Sequence, residues 1–382
     1  MRYRLSALSL SVPKARALAS ISPPDLVRLV NEHLTQPLLW LREQVGNLKR
    51  GDTLKINPAP PPGRTDLLGS VFHHAHSMMI ETLRVELGLQ GIAVESSARR
   101  TSITVPALGE RDPPANVWAG KTVLVTGASS GLGQATAHEL AKRGAIVQGV
   151  ARRPMKSLSF VNGGRFVPLS ADVTKYEELL GALGARRFFS IIHSAGTGSI
   201  DLIQHANPDN LHRDIDTNVL GTLNVAKLAL ARLKRNGHLA IVSSGAARVP
   251  WVGGVSYVTA KAAQHAIAVQ LAHRLRRRNA AVTAVLAGSF NSGAWVGALK
   301  NRLLQAVVGA SAHALPRPSR VARQVLADVE RGAPVSTAGL GGGTAYTFGE
   351  LMHLASKSVA TTLTTLRLGL PIGRLGSLSA AR

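Results

Sequence analysis

The chain has no cysteine. Disulfides, thiolate catalysis and cysteine-held metals are therefore excluded, while the compartment stays open, because exported and cytosolic proteins can both lack the residue. Aromatic residues are 4% of the 382 and do not interleave with the arginines, so base-stacking platforms are missing. Acids are scarce too: 21 against 45 basic residues, a formal net charge of +24. That excess suits a polyanion (nucleic acid, acidic lipid, a phosphate-bearing substrate or cofactor) or a solvated, arginine-rich surface. The basic residues are dispersed, the densest run being Arg274-Leu275-Arg276-Arg277-Arg278 near a helix end, where cations suit the dipole. Nucleic acid is not the expected partner. No run is long and charge-free enough for a transmembrane segment.

What is present is a glycine turn in a telling context. Val123-Leu124-Val125 reads as a buried parallel strand, Thr126-Gly127-Ala128-Ser129-Ser130-Gly131-Leu132-Gly133 follows it, and a helical pattern runs from Gln134 to Lys142. Strand, glycine turn and helix bring a pyrophosphate against a helix N-terminus: Gly127 permits the turn, Gly131 admits the phosphates, and Gly133 lets helix and strand pack closely. A tight turn without a ligand would share the pattern, so the rest of the chain must decide.

The length accommodates one large α/β domain plus a smaller unit. Residues 1–24 read as a basic leader without regular structure. It could be a frayed end in a cytoplasmic protein or a mitochondrial presequence. From Pro24 to Val105 the reading is a helix over Asp25–Gln44, a proline break at Pro58–Pro62, a helix over Leu67–Leu87 and a short strand near Ile92–Val94. His73, His74 and His76 do not match a known metal spacing and are taken as a partly exposed helix face. Residues 106–116 read as a linker, 117–335 as the main domain and 336–382 as an extension. Within 117–335, strands expected at Thr122–Val125, Ala145–Val150, Phe166–Leu169, Ser190–His193, Leu239–Ser243 and Ala281–Leu286 alternate with helices, the rhythm of a Rossmann-type doubly wound parallel sheet in three α/β/α layers.

Separated features then converge. Arg152 and Arg153 follow the second strand, where an NAD site would place an acid, and suit the 2′-phosphate of NADP. Asp172, before Val173, can reach an adenine amino group after the third strand. Ser194, Ala195 and Gly196 are small, as backbone beside a cofactor requires. Ser244 precedes Tyr257 by thirteen residues, and Lys261 comes four later, on the same helix face as the tyrosine. A lysine cation beside a phenol is expected to lower its pKa toward working pH, as a general acid/base needs, and Ser244 can hydrogen-bond the oxygen where charge develops.

With these motifs, residues 117–335 resemble the short-chain dehydrogenase/reductase family. The resemblance rests on Thr126-Gly127-x-x-x-Gly131-x-Gly133, Asp172-Val173, Asn218, and Ser244 with Tyr257 and Lys261. It implies a seven-stranded parallel sheet and proton transfer between Tyr257 and the substrate oxygen as hydride moves to or from a nicotinamide. Lys261 would also hold the nicotinamide ribose, Asn218 would support a relay water, and Arg152 would mark NADP(H) over NAD(H). Two departures stand out. His193-Ser194-Ala195-Gly196 replaces the family's Asn-Asn-Ala-Gly. Ala287-Gly288 replaces Pro-Gly, with Ser292 where a threonine often helps hold the nicotinamide amide.

Residues 25–94 resemble the second half of the same family. Sliding by about 188 residues pairs Leu83 with Leu271, Leu87 with Leu275 and Val94 with Val282, and puts Gly69 where the tyrosine should be and His73 where the lysine should be. No tyrosine lies between Tyr3 and Tyr176, so this segment cannot perform the reaction. In the family the two helices it keeps usually build a dimer interface. It is expected either to pack on residues 208–278 as an intrachain pseudo-dimer or to be a poorly packed decayed duplication; a homo-oligomer is also open. The expected function is NADP(H)-dependent oxidation or reduction of an alcohol or carbonyl. Trp295, Val296, Leu299, Leu303, Leu304, Val307 and Val308, within 290–315, suggest a lid for a lipophilic substrate. The tail from Phe348 to Leu370 is mildly amphipathic. The alternative is a cofactor-binding regulatory or scaffolding protein whose catalysis is lost or incidental.

Overall fold

The computed structural model describes residues 5–13, 16–63, 66–98, 103, 105–106, 117–291 and 315–339. All but the first residue of the linker expected at 106–116, Ser292, the lid residues from Trp295 to Val308 and the tail from Phe348 to Leu370 lie outside them.

The described residues open with strand β1 (Leu5–Ser9), a 3-10 turn at Leu18–Ser20, helix α1 (Pro23–Val30), a π-turn at Asn31–Thr35 and helix α2 (Gln36–Val45). Strand β2 (Thr53–Asn57), helix α3 (Leu67–Gly88) and strand β3 (Ala93–Glu95) complete this unit. The ends are set by local chemistry. Ser22 accepts from Asp25 N with Pro23 next in line, and Asp66 accepts from Gly69 N.

β1, β2 and β3 form a parallel three-stranded sheet, in the order β1-β2-β3. Two expectations are thereby corrected. The basic leader is not irregular throughout, since Leu5–Ser9 is a paired strand. The N-terminal unit is also less purely helical than its pattern suggested. β2 was missed because a five-residue strand, buried at Leu54 and Ile56 but exposed at Lys55 and Asn57, leaves a short trace beside the proline break.

The larger unit follows with β4 (Thr122–Thr126), α4 (Gly131–Lys142), β5 (Ile146–Ala151), β6 (Leu158–Ser159), β7 (Arg165–Ser170), α5 (Tyr176–Leu183) and β8 (Phe188–His193). Then come α6 (Pro208–Ile215), a π-turn at Asp216–Leu220, α7 (Gly221–Arg232), β9 (Leu233–Val242), α8 (Val255–Leu275), β10 (Ala281–Val285), α9 (Pro318–Arg331) and β11 (Val335–Ser336). The sheet order is β11-β10-β9-β8-β4-β5-β7-β6. The first seven are parallel and β6 joins β7 antiparallel, so the seven-stranded sheet carries a short added edge. The direction of winding switches between β4 and β8, and ligands bind open α/β sheets at the carboxyl ends of such strands.

The order strand, helix, π-turn, helix, strand, long helix, strand over 5–95 recurs over 188–285. α3 packs against α8 in antiparallel sense. Glu86, near the end of α3, reaches Gly253 just before α8, while Arg274, near the end of α8, lies close enough to Asp66 at the start of α3 to feel its charge. One hydrophobic cluster is continuous across the two units, joining Leu26, Leu34, Phe72 and Leu83 to Ile215, Leu223, Ile267 and Leu271. The unit is therefore closely packed. A second cluster lies on the other face of the large sheet, under α4 and α9.

The histidines of α3 form a partly exposed face only at His73. His74 and His76 are buried, because α3 is covered on most sides. His76 Nε2 lies 2.6 Å from His33 O, and burial pushes its pKa down to about 4. Among the described residues no group of three metal-ligating side chains converges. Among them, too, no helix is long and apolar enough to cross a membrane.

Candidate active site

The glycine turn leaves β4 at Thr126 and enters α4 at Gly131. Gly127 has a φ of +69°, and a Cβ there would lie 2.7 Å from Ala195 N. A Cβ on Gly133 would lie 2.3 Å from Gly127 O. Thr126 is buried and Leu132 nearly so, anchoring the turn below, while Ser129 and Ser130 stand at its rim. Ser194, Ala195 and Gly196 leave the neighbouring β8 beside it. The glycines thus let backbone pack on backbone, Gly127 against the loop after β8 and Gly133 against Gly127, and a turn so built at the N-terminus of α4 would hold a cofactor's pyrophosphate.

Arg153 lies over the rim of the turn: its Nε lies 3.2 Å from Ser129 Oγ and its Nη2 2.6 Å from Ser130 Oγ. Arg152 Nη1 is 3.7 Å from Asp172 Oδ2. Asp172 Oδ1 accepts from Thr174 N and Thr174 Oγ1, both at 2.9 Å, which orients the carboxylate after β7. Val173 is buried against Gly221, where a Cβ would lie 2.8 Å from Val173 Cγ2. Gly288, just past β10, donates its N–H to Ala338 O at 2.9 Å, placing it at the carboxyl edge of the sheet.

Asn218, Ser244, Tyr257 and Lys261 meet around the same edge. Asn218 lies in the π-turn, fully buried. Its Nδ2 donates to Thr197 O (2.9 Å) and Asp214 O (2.8 Å). A Cβ on Gly196 would lie 2.8 Å from Asn218 Oδ1 and 3.2 Å from Lys261 Nζ, so the loop after β8 touches both. Ser244 is hydrogen-bonded to the Tyr257 side chain, and its Oγ accepts from Ala246 N at 3.2 Å. Lys261 Nζ lies 5.5 Å from the Tyr257 ring centroid and donates to Gln264 Oε1 at 2.8 Å.

The electrostatics differ from the expectation of a lowered phenol. Tyr257 is 8% exposed, and burial pushes its pKa up to about 12; the Ser244 hydrogen bond opposes this and Asp214 adds to it. Burial pulls Lys261 down to about 7, against the raising influence of Asp214. Desolvation is the largest influence on both groups.

Several contributors were not foreseen. Asp214, four residues before Asn218, accepts from Thr197 Oγ1 (3.0 Å), Ser199 N (2.9 Å) and Ser256 Oγ (3.1 Å), linking the loop after β8 to the turn of α8 that carries Tyr257. Burial raises its pKa, and these hydrogen bonds oppose the rise. In sequence it is simply an acid in a helix. His193, visible as a departure from the family pattern, has Nδ1 2.8 Å from Thr126 Oγ1 and Nε2 2.8 Å from Thr222 Oγ1. Gln264 Nε2 donates to the same Thr222 Oγ1 at 2.9 Å. A buried polar chain thus runs from Lys261 through Gln264, Thr222 and His193 to the glycine turn. Burial holds His193 at about 3, so it is a neutral member of that chain.

A family model described as short chain dehydrogenase matches residues 121–302. An uncharacterized oxidoreductase of Staphylococcus epidermidis is 31% identical over 215 residues, 53% of this chain and 93% of that one. Serine 3-dehydrogenase of Agrobacterium fabrum is 34% identical over 177 residues, 44% of this chain and 71% of that one. Among solved structures, a short chain dehydrogenase from Burkholderia cenocepacia in complex with NADP shares the fold, with a TM-score of 0.50 and 23% identity over 66% of this chain and 99% of that one. Similarity across nearly a whole relative, in the region that holds the glycine turn and the Ser244–Tyr257–Lys261 group, makes this chain a member of the short-chain dehydrogenase/reductase family of oxidoreductases.

Proposed function

We propose that the protein is an NADP(H)-dependent reductase or dehydrogenase acting on a lipophilic carbonyl or alcohol. The observation that carries this reading is the meeting of Ser244, Tyr257 and Lys261 beside the glycine turn at the carboxyl edge of the sheet.

The nicotinamide supplies or accepts the hydride. Gly127, Gly131 and Gly133 would leave room for its pyrophosphate, Asp172 and Val173 would border the adenine, and Ser194, Ala195, Gly196 and Gly288 would line its path. In reduction the Tyr257 hydroxyl donates its proton to the carbonyl oxygen while Ser244 hydrogen-bonds that oxygen. A phenol held at about 12 keeps its proton at neutral pH, as the acid of a reduction must. Lys261, at about 7, is divided between charged and neutral forms, and in the charged form favours the phenolate left behind. Asn218 braces the loop after β8 against this pair.

NADP(H) is favoured over NAD(H) because Arg152 and Arg153 follow β5 with no acid between, and Arg153 already grips two hydroxyls on the turn. A phosphate offers that guanidinium a stronger, charged acceptor. The apolar residues within 290–315 support a lipophilic substrate.

The test is NADPH oxidation against a panel of lipophilic ketones and aldehydes, wild type beside Tyr257→Phe, with cofactor binding followed separately. Turnover should vanish in the variant while NADPH still binds. In Arg152→Ala/Arg153→Ala, NADPH affinity should fall at least about tenfold and NADH affinity much less. Binding without turnover on any substrate would favour a regulatory role, and failure to bind either nicotinamide cofactor would end the oxidoreductase reading for this chain.

A further inference from the structure

Glu86 stands in the last turn of α3, where the helix dipole disfavours an acid, and it is 1% exposed. What faces its carboxylate is backbone from the other unit. Oε1 accepts from Ile203 N and Oε2 from Gly253 N, each at 2.7 Å. Burial pushes its pKa up to about 7, with the two donors opposing. A buried carboxylate satisfied by two N–H groups of separate loops is costly to build, and its geometry is specific.

Those two loops form the walls of Tyr257. In the loop after β8, Gly198 lies against the tyrosine ring, so closely that a Cβ there would be 2.8 Å from Cδ2. In the loop before α8, the Trp251 ring meets Tyr257 edge-on at 6.1 Å between centroids. The loops also bond to each other, Asp201 N donating to Gly253 O at 2.8 Å. Gly253 has a φ of +76°, which turns its N–H toward α3 at little steric cost.

We propose that Glu86 is a positioning residue for the reaction at Tyr257: from the N-terminal unit, which lacks a catalytic tyrosine of its own, it ties together the two loops that wall the tyrosine in the other unit. The inference rests on the reductase reading above. It gives the N-terminal unit a function in the active site beyond covering apolar surface. A carboxylate suits the role because its ionised form, which prevails above about pH 7, accepts through both oxygens. An amide at the same place has one acceptor, so one of the two N–H groups would be left buried and unpaired.

The experiment compares full-length wild type, Glu86→Gln and Glu86→Ala by three readouts: amide exchange in peptides spanning 197–207 and 248–256, NADPH affinity by fluorescence, and steady-state carbonyl reduction. In Glu86→Gln both loops should exchange at least about tenfold faster and kcat should fall about tenfold to a hundredfold, with NADPH affinity held within about twofold. Unchanged exchange in both loops would overturn the proposal, as would faster exchange with unchanged kcat, or a parallel loss of kcat and NADPH binding. If Glu86→Ala does not fold, the nearly isosteric Glu86→Gln still decides. A wild type that binds NADPH but reduces nothing counts against the reductase reading instead. The exchange comparison then decides by itself whether Glu86 holds the loops.

Discussion

Replacing Glu86 by glutamine changes how stability depends on pH, and the size of the change follows from the structure. Burial raises the carboxyl from an ordinary 4.5 to about 7. An acid with a higher pKa when folded binds more protons in the folded state across that interval. Its contribution is full below pH 4.5 and is lost as the pH rises through 7. A side chain that cannot ionise at this position escapes the loss. At about 1.4 kcal/mol per unit, wild type should lose about 2–3 kcal/mol relative to Glu86→Gln between pH 5 and pH 8. The other titrating groups, Asp214 and the buried histidines among them, are common to both proteins and cancel in the difference. The assay is urea unfolding of both proteins at unit steps from pH 5 to 8, taking the difference in unfolding free energy at each. Two stability curves that stay parallel to within about 0.5 kcal/mol would refute the reasoning, because the carboxyl would then titrate alike in the folded and unfolded chains.

Phe72→Ala should cost about 3–5 kcal/mol, since the ring is fully buried in the cluster that also holds Ile267 and Leu271. The loss should appear in one unfolding transition that also abolishes NADPH binding. Separate transitions, with the cofactor-binding one unmoved, would mean that the two units do not share a core. Gly133→Ala should weaken NADPH binding at least about tenfold, because the added carbon meets backbone at Gly127 that has nowhere to go. Fluorescence titration checks this, and an unchanged affinity would show that the turn can open without harm.

Much of the candidate site was legible in the sequence because its residues follow local or periodic patterns. Gly127, Gly131 and Gly133 mark a turn that other residues would strain, and Tyr257 and Lys261 share a helix face through their spacing alone. The six strands expected in the main domain all formed, five with ends within two residues and β9 starting six residues early, at Leu233. The buried acids were harder. Asp214 and Glu86 look like ordinary helix-surface acids, and their meaning comes from backbone N–H groups at Ser199, Ile203 and Gly253, which no periodicity in their own helices reports. β1 and β2 failed for a related reason: a short strand is stabilised by its neighbours, and its own five residues carry little pattern.

The sequence by itself determined the alternation of strands and helices, the glycine turn and the spacing of Ser244, Tyr257 and Lys261, since each depends on backbone sterics or periodicity within a short stretch. Tertiary structure decided the protonation tendencies of that group and the place of the N-terminal unit. Desolvation depends on everything packed around a side chain. The antiparallel contact of α3 with α8 brings Glu86 to a loop 167 residues further along the chain.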